Sequence, residues 1–132
     1  MPLVISIKTH SRIDMLDITP AVQEAISNSS LTDGICVVYI PHTTAGITIN
    51  EGADPAVCQD IMKKLNELVP YDAGYLHLEG NSDSHIKTSI VGNSVTIFVE
   101  NGRLVMGTWQ KIFFCEFDGP RSRKANIKLM GS

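Results

Sequence analysis

Polar and apolar positions alternate from the first residues. Leu3–Lys8 places Ile5 and Ile7 on one face and Ser6 and Lys8 on the other, the period-two signature of a strand. Thr9–Arg12 then turns the chain into a second strand near Asp14–Ile18. Thr19-Pro20 combines an N-cap hydroxyl with proline at the first helical position, and Val22, Ala25 and Ile26 supply the apolar stripe of a short helix. Asp33-Gly34 turns into Ile35–Ile40, apolar on both faces and therefore a central strand. In 45–50, Ala45, Ile47 and Ile49 form a core face. Gly46, Thr48 and Asn50 form a small, polar one suited to lining a pocket.

Asp54-Pro55 repeats the helix-start signature. Val57, Ile61, Leu65 and Leu68 follow at helical spacing, so a helix is predicted over Pro55–Leu68, ended by Pro70. Residues 71–85 are polar, and Ile86–Val91 is predicted as a helix capped by Ser82 or Asp83. Ser94–Val99 and Arg103–Met106 flank Glu100-Asn101-Gly102, a hairpin signal because Asn-Gly tolerates positive φ. Trp109–Phe117 and Ala125–Met130 are the remaining strands. The sum is an α+β, β-rich domain over 1–132: an antiparallel β-sandwich, jelly-roll-like, with two or three helices on one side.

Composition narrows the function classes. The 132 residues carry a formal charge of −3, which gives no reason to expect nucleic-acid or membrane binding. Cys36, Cys58 and Cys115 are odd in number and form no Cys-x-x-Cys, which argues against a disulfide framework and for a reducing compartment. The amino terminus alternates instead of running apolar like a signal peptide, and no apolar stretch nears the roughly 18 residues of a membrane span. A soluble, cytoplasmic protein is expected.

Four stretches carry candidate chemistry. In "PHTTAGITINEGAD" (41–54), a turn does not require His42-Thr43-Thr44. On a straight strand His42 and Asn50 would lie about 26 Å apart, so one shared site requires a bend, at Gly46 or Pro41–Thr44, or a neighbouring subunit. In "YLHLEGNSDSHIK" (75–87), His77, Glu79, Asn81, Asp83 and His85 are dense enough for acid–base chemistry or a divalent metal. The spacing matches no standard zinc signature, and the plain alternative is a polar surface loop. With His42, three histidines could converge. In "ENGRLVMGTWQ" (100–110), Gly107-Thr108 could hold a phosphate and Trp109 could stack on a flat ring; the plain readings are a turn and a core tryptophan. In "CEFDGPRSRK" (115–124), Phe113, Cys115 and Phe117 share one strand face and Phe114 and Glu116 the other, so Glu116 is expected to be buried and paired. Arg121, Arg123 and Lys124 are either a solvated basic edge or an anion site. His10 is expected to be exposed.

Taken together, His42-Thr43-Thr44-Ala45 with Asn50-Glu51 and Asp54-Pro55, then "HLEGNSDSHIK", then "GRLVMGTWQKIFFCEFDGPR", resemble the YjbQ family, catalogued as uncharacterised. The resemblance spans nearly the whole chain. It implies a compact β-rich sandwich, assembly as a homotrimer, and a thiamine-phosphate synthase activity that is secondary in some members. That reaction joins hydroxymethylpyrimidine diphosphate to a thiazole phosphate and releases diphosphate. The implied polar positions are His42, Thr43, Asn50, Glu51, His77, Asn81, Asp83, His85, Trp109, Gln110, Glu116 and Arg121.

For such chemistry His42, Asn50, Glu51, His77, Asp83 and His85 are the catalytic candidates. Thr43, Asn81, Lys87, Gly107, Thr108, Trp109, Gln110 and Arg121 are the substrate-binding candidates. The expected ligand is a small phosphate ester or diphosphate. A divalent metal, Mg²⁺ or Zn²⁺, is the one cofactor in view, with His42, His77, His85 and Glu116 as its candidate ligands and no organic cofactor expected. The alternatives are a metal-dependent hydrolase using the histidines and a non-catalytic phosphate-ester binding module.

Overall fold

The computed structural model describes residues 3–132. In chain order the elements are β1 (Leu3–Lys8), β2 (Asp14–Asp17), α1 (Thr19–Ser27), β3 (Gly34–Tyr39), β4 (Ala45–Glu51), α2 (Pro55–Leu68), α3 (Ser82–Val91), β5 (Ser94–Glu100), β6 (Arg103–Leu104), β7 (Gln110–Glu116) and β8 (Ser122–Gly131). Two antiparallel sheets face each other. The larger runs β1-β8-β3-β5-β6 and the smaller β2-β7-β4.

The core between the sheets is made by the apolar faces that the alternation marks out. Ala45 and Ile47 of β4, Ile112 and Phe114 of β7, and Cys36 and Val38 of β3 are all buried there. Fully burying each large side chain contributes about 1.5–3 kcal/mol. β3 lies between β8 and β5, as a strand apolar on both faces should. The other face of β7 carries Phe113 and Cys115, which pack with Phe117 and Met15 into a second cluster under α2 and α3. Both faces of β7 are thus covered, and Glu116 at its end is buried with them.

Helices α2 and α3 cover the outer face of the smaller sheet, as expected. Helix α1 departs from the one-sided arrangement, because Val22 and Ile26 insert into the main core. Thr19 was expected to cap α1; instead it is the first helical residue, and its hydroxyl accepts a hydrogen bond from Ile112 N at 2.7 Å. Asp54 does cap α2, its carboxylate accepting from Ala56 N at 2.9 Å. Helix α3 starts at Ser82 with Asn81 in the N-cap position, so the predicted caps Ser82 and Asp83 are its first two helical residues. Asn101 and Gly102 both take positive φ in the β5–β6 turn, which explains why Asn-Gly stands there.

Candidate functional site

At the amino-terminal end of β4 the two sheets are joined by a buried ionic network. Glu116 pairs with Ala45 in register, and its carboxylate is fully buried. Arg123 of β8 donates through Nε to Oε1 at 2.9 Å and through Nη2 to Oε2, and Nη2 also reaches Thr44 Oγ1 at 2.9 Å. Thr9 Oγ1 donates to Oε1 at 2.6 Å and Asp118 N to Oε2 at 3.0 Å. Burial alone would raise the Glu116 carboxyl, but the donors from Arg123, Thr9 and Asp118 outweigh it and hold the group below the usual carboxylate range. Both oxygens of Glu116, a candidate metal ligand by sequence, are engaged within this network.

A second buried network fixes α3. Asp83 and Lys87 lie one helical turn apart and are buried, with Lys87 Nζ 3.2 Å from Asp83 Oδ2. Lys87 also donates to Asn66 Oδ1 of α2 at 2.7 Å, and Arg12 holds both Asp83 oxygens at 3.1 and 3.2 Å. The Arg12 guanidinium stacks 4.4 Å from the Tyr71 ring centroid. Asp83, expected as a catalytic group, and Lys87, expected as a phosphate partner, both lie in this buried network and outside the lining of the cleft. Each is locked into a paired interior charge that ties α3 to α2 and to the β1–β2 turn.

Above these networks lies an open cleft of about 430 Å³, lined by His42, Thr43, His77, Glu79, Asn81, His85, Asp118 and Arg121 among others. His42 thus shares one wall system with His77 and His85, which lie more than thirty residues further along the chain. His77 and His85 meet edge to face, with ring centroids 5.2 Å apart, and His77 Nε2 lies 4.0 Å from Glu79 Oε2. Asn81 donates through Nδ2 to Asp118 Oδ2 at 2.8 Å, while its Oδ1 is buried with no protein partner among the described residues.

Arg121 donates through Nε to Asp118 O at 2.8 Å and through Nη2 to Asp118 Oδ2 at 2.9 Å. Desolvation would raise the Asp118 carboxyl; the bonds from Asn81 and Arg121 bring it down. The corner that presents Arg121 needs glycine at 119, since a Cβ there would meet Ser11 O at 2.3 Å. A second hollow of about 490 Å³ adjoins the cleft, and His42, Thr43 and His85 line both.

The opposite end of β4 is separate. The strand runs without a break from Ala45 to Glu51, about 20 Å at strand rise, so no bend at Gly46 brings Asn50 to His42. Asn50 Oδ1 accepts from Glu51 N, and Glu51 Oε2 accepts from Asp54 N at 3.2 Å. Gly52 N bonds Trp109 O at 2.8 Å, and Gly107 N donates to Gln110 Oε1 at 2.7 Å. Within one chain Asn50, Glu51, Gly107, Thr108, Trp109 and Gln110 form this far end and do not line the cleft. Trp109 is 63% exposed, which overturns its reading as core. Thr48 and Asn50 do line a hollow, as their face predicts, but it is an inner space of about 310 Å³ under α2 and α3.

The chain matches the model of the family described as UPF0047 protein YjbQ-like over residues 4–132. The chain belongs to the YjbQ/UPF0047 family. It is 56% identical over 125 residues to the UPF0047 protein MJ1081 of Methanocaldococcus jannaschii, covering 95% of this chain and 91% of that one. Against the UPF0047 protein YugU of Bacillus subtilis it is 50% identical over 128 residues, covering 96% and 97%. A crystal structure of an uncharacterized conserved protein of the YjbQ/UPF0047 family from Clostridium acetobutylicum superposes with a TM-score of 0.95 at 50% identity, covering 97% and 99%.

The fold divides the stretches that carry the YjbQ resemblance. His42–Thr44, His77–His85 and the tail of the third stretch, Glu116–Arg121, meet at the cleft or directly beneath it, while Gly107–Gln110 goes to the far end. As a metal centre the predicted set does not fit in one chain. No group of three or more His, Cys, Asp or Glu among the described residues is placed to hold an ion. Glu116 is spent on Arg123, and His42 Nε2 accepts from Lys124 N at 2.9 Å. Sequence reasoning missed Thr9, Arg12 and Asp118. Arg12 and Asp83 are 71 residues apart, and no local pattern announces such a pair.

Proposed function

We propose that the protein is an enzyme acting on a small phosphate ester or diphosphate in the histidine cleft, with thiamine-phosphate synthase-like chemistry as a secondary activity. The observation that carries this reading is the convergence of His42, His77 and His85 with Arg121 on one open cleft. In the synthase reaction a bond forms between the thiazole nitrogen and the pyrimidine methylene carbon. The bond from that carbon to the diphosphate oxygen breaks, and diphosphate leaves with the electron pair. Arg121 suits the charge that develops on the leaving group, and imidazoles can donate to its oxygens. Mg²⁺, where the reaction needs it, would enter with the diphosphate as part of the substrate. Trp109 does not stack on either ring within the same chain.

The test is the rate of thiamine-phosphate formation from both substrates and Mg²⁺, with a His85→Ala variant beside the unsubstituted protein. A substantial rate that the variant loses supports the reading; a trace rate that survives overturns it. We further propose a homotrimer, which would cover Leu76 and Leu78, each at least 95% exposed in the single chain. Light scattering that shows a monomer at micromolar concentration would overturn that assembly.

A further inference from the structure

Three features of His42 fix what its ring can do. Nε2 accepts a hydrogen bond from the main-chain N–H of Lys124 at 2.9 Å. A peptide nitrogen can only donate, so Nε2 must hold a lone pair, and the proton of the neutral ring must sit on Nδ1. A flipped ring would set a carbon against the Lys124 N–H and leave that donor unmatched. On the other side of the ring, Nδ1 has no protein partner among the described residues, and the residue lines the cleft.

The surroundings keep the ring neutral. Burial lowers its pKa, and the positive charges of Arg123 and Lys124 on β8 outweigh Glu116 on β7. His85 on α3 shares the cleft wall, with Arg121, His77 and Glu79 also lining it. A second proton on Nε2 would displace the Lys124 amide, so the state at neutral pH is uncharged imidazole with Nδ1–H unspent.

Building on the phosphate-ester reading of the cleft, we propose that His42 binds the ligand as a neutral donor, through Nδ1–H to a phosphate oxygen, with the Lys124 main-chain amide as the group that positions it. Arg121 completes the anion site. It spends Nε and Nη2 on Asp118, which orients the guanidinium, and Nη1 has no protein partner among the described residues. A neutral donor beside a fixed cation gives phosphate two directional bonds, and no histidine proton is exchanged on binding. His42 is then neither a general base through Nε2 nor a metal ligand through that atom.

The experiment is long-range ¹H–¹⁵N NMR of the histidine rings in the full chain, free and with inorganic phosphate, with His42 assigned by its absence in His42→Asn. The expected spectrum is the Nδ1–H tautomer at neutral pH, with the ring charging at lower pH than an ordinary histidine. Phosphate should shift its Nδ1 signals. The side-chain amide of His42→Asn can place a donor near the Nδ1 position, so this variant should bind phosphate within about threefold of the unsubstituted protein. In His42→Gln the amide lies near the Nε2 position, and binding should fall about tenfold or more.

An Nε2–H tautomer, an imidazolium at pH ~7, signals that phosphate does not move, or equal losses in the two variants would each overturn the proposal. The tautomer is read on the unsubstituted protein, and either His42→Asn or His42→Gln assigns the ring by its absence, so one variant that fails to fold leaves the test intact. It is also read without turnover. Absent thiamine-phosphate formation therefore overturns the synthase reading alone, while an Nε2–H ring overturns the His42 assignment alone.

Discussion

The two ends of β4 are built from similar residue types and arrive at different structures. At the amino-terminal end, His42-Thr43-Thr44 stands over a buried pair in which Glu116 and Arg123 satisfy each other and draw in Thr9 and Thr44. At the carboxy-terminal end, the Asn50 and Glu51 side chains bond, among the described residues, only to main-chain N–H groups of residues 51 and 54. Polar side chains in a local turn satisfy the nearest backbone and need no partner far away. Polar side chains set on an interior ion pair are held in place from below, and their remaining atoms are left to face a ligand. On the proposed reading, this difference makes the His42 end the site and the Asn50 end a surface.

The largest effect should come from the foundation. Arg123→Met leaves the Glu116 carboxylate buried without its main partner and should cost about 3–5 kcal/mol in unfolding free energy by urea titration. Replacing both partners together, Arg123→Met with Glu116→Met, removes the unpaired charge and should restore most of that loss. If the single and double variants lose equal stability, the pair is not what supports the cleft floor.

Next in size is His85→Ala, which acts on rate. His85 lies in the cleft wall against His77 and bears no buried charge, so the fold should hold while thiamine-phosphate formation falls about 100-fold, or about 2.7 kcal/mol in barrier. A rate within twofold of the unsubstituted protein would separate the catalytic centre from the histidine cleft. No comparable loss is expected from any single change at the other end of the strand.

Acid provides a milder contrast. The Glu116 and Asp118 carboxyls are both held below their ordinary range in the folded chain, so the unfolded chain takes up protons first as pH falls. Their stabilisation is fully present above about pH 4.5 and is lost as pH drops through the folded values. His42, also held low, adds a small decline that begins near pH ~6.5 for the same reason. Unfolding midpoints across this range should fall steeply for the unsubstituted protein and less steeply for Glu116→Gln. Equal slopes would mean that Glu116 does not carry the acid sensitivity.

What the sequence made legible follows from the range of the interaction. Pro55–Leu68 was readable because its cap, its proline and its apolar spacing all lie within one segment. The two-faced pattern of residues 110–117 correctly announced a buried and paired Glu116, since one strand records both of its faces. Arg123 as the partner, and Arg12 as the partner of Asp83, were not readable, because the sheet register and the packing of α3 make those pairs. The plain reading of Trp109 as a core residue fails for a related reason. Its size argues for burial, but its position just before β7 places it on the outside, and only the fold determines that.

The smallest effects should come from the far end. Glu51→Gln removes one carboxylate oxygen from an exposed bond to Asp54 N, and Trp109→Ala removes a side chain that is mostly in solvent already. Each should change unfolding free energy by no more than about 0.5 kcal/mol. Turnover should be unchanged, since neither residue has a path to the cleft along an unbroken β4. A fall in turnover at constant stability would carry a specific meaning: the far end of one chain would belong to the cleft of a neighbouring copy. Mixing Glu51→Gln chains with His85→Ala chains would then restore activity, because some clefts would combine an intact histidine wall with an intact far end. Without such rescue, the His42 end stands as a complete site and the Asn50 end as a surface.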